Sequence, residues 1–178
     1  LGIEQGIGVG VVLSIAVHIY RSMQPHVAVL GKIPGTDQFR NVNRFVNATE
    51  TPGTLTVRFD GQLYFANLAY FQRQLTELVE ARIPGLQRII INAEGISYID
   101  SSAMHELHNF ITNQQSKGID VLFSGLIGPV RDAFRKNGLF TLVGEHNFYL
   151  DVKGAVEATE TGAEGRAGNG LALQTNPA

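Results

Sequence analysis

The 178-residue sequence contains no cysteine and no tryptophan. Without thiols there can be no disulfide framework, no cysteine nucleophile and no zinc site built on thiolates. This fits a reducing compartment. An excess of positive charge is missing too. Fourteen Lys and Arg stand against sixteen Asp and Glu, a net charge of −2, so no basic groove for nucleic acid is expected. Charge of either sign is nearly absent from the opening, LGIEQGIGVGVVLSIAVHIY, where Glu4 is the one charged side chain among residues 1–20. No lysine or arginine precedes the apolar run within this sequence, so a secretory signal peptide is not the expected reading. Nor does a strand precede Gly6-Ile7-Gly8-Val9-Gly10, and its last glycine spacing is wrong for a dinucleotide loop.

What is present is a globular composition, 44% hydrophobic and 17% charged, suited to one domain plus appendages. The opening run has the length of a bilayer-spanning helix, about 30 Å for twenty residues. Glycines 2, 6 and 10 carry the small-xxx-small spacing of packed membrane helices. Arg21, Lys32, Arg40 and Arg44 follow, which the positive-inside rule assigns to the cytoplasm. A buried segment of a soluble domain is the competing reading. The first residue is Leu rather than Met, and the chain reads as part of a longer protein. Four sections are expected: a membrane-helix end over 1–21, a juxtamembrane segment with the first strand over 22–53, the rest of the domain over 54–158, and a disordered tail over 159–178. In that tail only Leu171 and Leu173 are large and apolar, too few to offset the entropy of ordering.

Along the chain, His26–Leu30 reads as a short strand. Thr54–Asp60 alternates, with Leu55, Val57 and Phe59 on one face. A helix is expected from Leu68 to about Ala81, with Asn67 as its N-cap and Pro84-Gly85 beyond its end. Arg88–Asn92 reads as a buried strand and Ser102 to about Ser116 as an amphipathic helix, with Gly118 at its left-handed cap. Asp120–Ser124 is a further strand. Pro129 opens a helix to about Lys136, and Phe148 to about Ala158 reads as the last helix. This alternation implies an α/β fold, a mixed sheet with parallel neighbours and amphipathic helices packed on it.

Chemistry centres on Asp100-Ser101-Ser102, where strand passes into helix. A serine nucleophile needs a base and oxyanion donors, and the flanking residues are not those of a Gly-x-Ser-x-Gly elbow. Helix capping by Ser101 or Ser102 is the simpler reading. A third is a phosphoacceptor: the helix dipole favours an added phosphate while Asp100 opposes it. No catalytic residue and no metal ligand is assigned. His105-Glu106-Leu107-His108 sets its histidines three apart, where a zinc-protease helix needs four. Asn47-Ala48-Thr49 is a glycosylation triplet without meaning on a cytoplasmic side. Gly125-Leu126-Ile127-Gly128-Pro129 reads as an ordinary loop that lacks the lysine and length of a P-loop.

Four stretches resemble a known family: YRSMQPHVAVLGKIPGTDQFRNV, VRFDGQLYFANLAYF, IDSSAMHEL and SGLIGPVRDAFRKNGL. They are similar to the C-terminal part of SulP-type anion transporters, the end of the last transmembrane helix followed by the cytoplasmic STAS domain. The resemblance covers most of residues 1–157, and its Asp-Ser-Ser junction is shared with soluble anti-sigma-factor antagonists. It implies a sheet of four to five strands flanked by helices, no enzymatic activity, no cofactor, a homodimeric transporter in the inner membrane, and a partnership with the transmembrane domain of the same chain. A cytoplasmic protein or nucleotide ligand is implied without residues to hold it. By this resemblance Ser102 is the phosphoacceptor, and Asp100, Ser101, Ser102 and His105 form the partner-binding edge. Where the antagonists often continue with glycine, this chain has Ala103 and Met104. An antagonist switched at Ser102 is the alternative function.

Overall fold

The structure, a computed structural model, describes residues 2–160. The first element is helix α1 (Ile3–Ser22), followed by strands β1 (His26–Lys32), β2 (Phe39–Asn41) and β3 (Thr54–Asp60). Then come α2 (Leu68–Glu80), β4 (Arg88–Asn92), α3 (Ser101–Ser116), β5 (Asp120–Ser124), α4 (Gly128–Lys136) and α5 (Leu139–Val143). A 3₁₀ turn (Glu145–Asn147), β6 (Phe148–Tyr149) and α6 (Val152–Glu160) complete the order.

The strands form one sheet in the order β2-β1-β3-β4-β5-β6. β1 runs antiparallel to both β2 and β3, while β3, β4, β5 and β6 run parallel. Strand periodicity divides the sheet into two faces. Leu55, Val57, Phe59, Ile89, Ile91, Val121 and Phe123 point to the face that receives α2, α3, α4 and α5. Ala28, Leu30, Ile90 and Leu122 point to the other, where Val152, Ala155 and Val156 of α6 cover them. The larger core is finished by rings: Phe123 meets Phe134 edge-on at 5.1 Å and stacks on Phe148 at 5.6 Å.

The mixed α/β sheet with flanking helices is as expected, with six strands in place of four to five. The extra strands hold three and two residues, too few to show alternation. β6 occupies the start of the segment read as a helix from Phe148. The helix begins at Val152 because the Asp151 carboxylate accepts the Gly154 N–H at 2.8 Å, a capping bond that sets the first turn. α5, five residues long, was not anticipated. The first strand runs on to Lys32. Gly118, at φ +74°, closes α3 as expected. The tail expected from Thr159 lies outside the described residues from 161 onward; Thr159 and Glu160 belong to α6.

α1 is held to the domain at its last residue, Ser22. None of its residues is buried, and nine aliphatic side chains, Ile3, Ile7, Val9, Val11, Val12, Leu13, Ile15, Val17 and Ile19, are each more than half exposed. By length and composition α1 is the one helix among the described residues suited to crossing a membrane.

Candidate functional site

The four parallel strands end at one edge of the sheet, and β1 begins there, with His26 opposite Asp60. The connections leaving this edge lead to the N-termini of α2, α3, α4 and α6. The β4–α3 connection is held close to β3. Gly95 lies so near that a Cβ would collide with the Phe59 carbonyl and approach Asp60 Cα to 3.0 Å, a position only glycine fits. Ile96 and Ile99 are buried. A short parallel bridge follows: Leu63 N–H donates to the Tyr98 carbonyl at 2.9 Å, and Asp100 N–H to the Leu63 carbonyl at 3.1 Å.

This bridge fixes Asp100, whose two carboxylate oxygens do separate things. Oδ1 accepts the Ala103 N–H at 2.8 Å and caps α3. Oδ2 accepts the Phe65 N–H at 2.8 Å and ties the β3–α2 connection to the same point. The cap is therefore Asp100, not Ser101 or Ser102 as the simpler sequence reading had it. An aspartate already held by the bridge presents its carboxylate to the helix, and both serines become first-turn residues. Ser101 and Ser102 are exposed, and neither hydroxyl makes a hydrogen bond among the described residues. His105, one turn along, is exposed and bonds to neither. The structure thus brings Asp100, Ser101, Ser102 and His105 together at the N-terminal end of α3, without a hydrogen-bonded serine–histidine pair. His108 is exposed as well, and no cluster of three metal-ligating side chains occurs among the described residues.

A second set of contacts lies beside the first and was not singled out from the sequence. Asn67 occupies the N-cap position of α2 but does not cap it. Its buried amide accepts the Tyr64 N–H at 3.0 Å, donates to the Gln62 carbonyl at 2.7 Å and reaches the Ser22 carbonyl at 3.5 Å. The Ser22 and Tyr64 hydroxyls share a hydrogen bond of 2.7 Å. The last residue of α1 is thereby attached to the same connection that holds Asp100. The only available signal was the VRFDGQLYFANLAYF motif, since Ser22 and Tyr64 stand 42 residues apart.

The β5–α4 loop is tied to β6 and to the first turns of α4. Gly125 N–H donates to the Tyr149 carbonyl at 3.1 Å, and the Arg131 guanidinium donates to the Leu126 carbonyl at 3.2 Å. In the first turn of α6, Lys153 pairs with Asp37 in the β1–β2 turn at 2.8 Å. The hydrogen bond and charge of Lys153 hold the Asp37 carboxyl below its ordinary value, and Asp37 raises the Lys153 ammonium in return.

Taken together, the chain is an α/β sheet covered by helices on both faces, with a capping aspartate and two free serines at the edge where an apolar helix attaches. Residues 45–155 match the STAS domain family, more than half of the chain. The chain belongs to that family, in the branch attached to SulP-type transporters. It is 34% identical over 166 residues to sulfate transporter 1.3 of Arabidopsis thaliana, covering 89% of this chain and 25% of that one. The chain thus spans about a quarter of the length of the curated relatives it matches. Among solved structures, murine solute carrier 26 family member A9, an anion transporter in its inward-facing state, is similar with a TM-score of 0.79 at 21% identity, over 90% of this chain and 26% of that one. The SulP transporter STAS domain of Vibrio cholerae is similar with a TM-score of 0.50 at 25% identity, over 68% of this chain and 91% of that one.

Proposed function

We propose that this chain is the cytoplasmic STAS domain, with the end of the last transmembrane helix, of a SulP-type secondary anion transporter in the inner membrane. Its protein is membrane-associated. The membrane part outside this chain moves sulfate, bicarbonate or a related anion. The domain catalyses nothing and serves assembly, homodimerisation and regulation through its helix faces and the Asp100-Ser101-Ser102 edge, with Ser102 as its phosphoacceptor and a cytoplasmic protein or nucleotide as a further ligand. Residues 1–21 belong to the membrane, 22–53 lead from it, and 54–158 complete the domain.

The observation that carries this reading is α1. Nine aliphatic side chains stand more than half exposed along it, and their unburied surface in water forgoes on the order of 10 kcal/mol of transfer free energy. A bilayer recovers that. Family relatives named as sulfate transporters support the transporter over the soluble antagonist, which has no use for such a helix. The test is to express the full-length protein, extract membranes with alkaline carbonate and follow sulfate uptake. Retention in the membrane with uptake that falls on deletion of residues 54–158 is expected. Release of the protein by carbonate overturns the reading.

A further inference from the structure

Large apolar side chains left in water are informative when they gather in one place. Beyond α1, the described residues hold few. Phe65 is 73% exposed, Tyr98 53%, Ile127 37% and Leu150 59%. Each comes from a different connection, β3–α2, β4–α3, β5–α4 and β6–α6 in turn, and all four connections leave the sheet at the carboxyl ends of its parallel strands. The others are Met23, next to the end of α1, Phe45 and Val46 in the long β2–β3 connection, and Ile83 at the opposite edge. Four consecutive connections thus carry one exposed apolar residue each to a common edge. Loops are ordinarily polar at their tips, and an apolar tip in water is a cost that contact with a partner removes.

The same edge is where α1 arrives. Ser22 bonds to Tyr64 and lies against Asn67, and both residues belong to the connection that carries Phe65. Whatever surrounds the end of α1 is therefore the nearest neighbour of this edge. Relatives of this chain are about four times as long, so most of such a protein lies outside the domain and its anchor.

We infer that the edge tipped by Phe65, Tyr98, Ile127 and Leu150 is the surface on which the domain seats against the membrane-embedded remainder of its own protein, with the Ser22–Tyr64 and Asn67 contacts fixing its angle to α1. The inference rests on the transporter reading above and assigns the residues that meet the membrane part. Ser101 and Ser102 open α3 at this edge, so a charge added there acts at the seat itself.

The absence of cysteine from these 178 residues makes the test direct. In the full-length protein in native membranes, Phe65→Cys, Tyr98→Cys, Ile127→Cys and Leu150→Cys are each labelled by a membrane-impermeant maleimide from the cytoplasmic side. Ile83→Cys and Lys117→Cys, exposed at the opposite edge, serve as references, and modification is read by mass on peptides from this part of the chain. Thiol reactivity follows exposure, so the edge positions are expected to react about tenfold more slowly than the references, in membranes and after transfer to detergent micelles. Rates within about twofold of the references overturn the inference. Protection lost in micelles assigns the edge to lipid and overturns it, as does protection that depends on concentration and accompanies disulfides between edges of two copies. Carbonate release of the protein fails the transporter reading instead, whereas retained protein with unprotected edge thiols fails this inference alone.

Discussion

Replacing Asp100 tests whether one carboxylate organises the edge. Its Oδ1 caps α3 through Ala103 N–H and its Oδ2 holds Phe65 N–H, both at 2.8 Å. Loss of an N-cap costs about 1 kcal/mol. A bond from a backbone N–H to a charged acceptor contributes about 1.5–3 kcal/mol, and the half-buried setting calls for the lower end. Asp100→Ala is therefore expected to cost about 2–3 kcal/mol, whereas Asp100→Ser, which can still cap but cannot reach Phe65, costs about 1–1.5 kcal/mol. The assay is urea unfolding of residues 23–160, a form without the exposed apolar helix, with amide hydrogen exchange on the same variants. In Asp100→Ser the Ala103 amide keeps its protection and the Phe65 amide loses it. If Asp100→Ala unfolds within about 0.5 kcal/mol of the parent, or if the serine and alanine variants are equal, the carboxylate is not a two-sided tie and the reasoning fails.

Two further outcomes follow from the same geometry. The Asp37 carboxyl, held down by Lys153, is expected to titrate below its ordinary value of 3.8. A depressed carboxyl adds stability that is present above that value and lost as pH falls through the folded one. The raised Lys153 ammonium adds stability below 10.5, lost as pH rises beyond it. Carboxyl-carbon NMR on the parent and on Lys153→Met decides it, since equal midpoints in the two proteins rule the pairing out. At Ser102, protein purified from its native cells is expected to carry a phosphate by intact mass that Ser102→Ala lacks. Phosphate on Ser101 instead, or none in either protein, removes Ser102 from the proposal.

The elements legible in the sequence were those long enough to complete a period. Leu55, Val57 and Phe59 alternate along seven residues, and Phe71, Leu75 and Val79 repeat at helical spacing along thirteen. β2 and β6 are too short to alternate even twice, and both exist because a neighbouring strand offers them an edge. The same limit applied to the site. Asp100, Ser101 and Ser102 are all competent caps, and local propensity does not choose among them. The choice came from the Leu63–Ile99 bridge, a contact across 36 positions that leaves Asp100 as the last extended residue. Asn67 shows the converse: a capping residue in a capping place whose amide was claimed by Tyr64, Gln62 and Ser22. In both cases sequence identified the residue and tertiary contacts decided its role.

The arrangement of helices explains why the chemistry-bearing residues sit on an edge and not in a pocket. α2, α3, α4 and α5 all pack on one face, and α6 covers the other. The connections leave the sheet at a common end without the reversal of winding that opens a crevice between neighbouring strands in doubly wound folds. With no crevice, what these connections present is an outer surface: free serine hydroxyls, a carboxylate already engaged on both oxygens, and apolar tips. It is suited to meeting another surface, and the attachment of α1 beside it fixes which surface is near. The Asp100 carboxylate then links the two halves of the edge, so that a disturbance at the start of α3 reaches Phe65 through one hydrogen bond and Ser22 through the adjoining Tyr64.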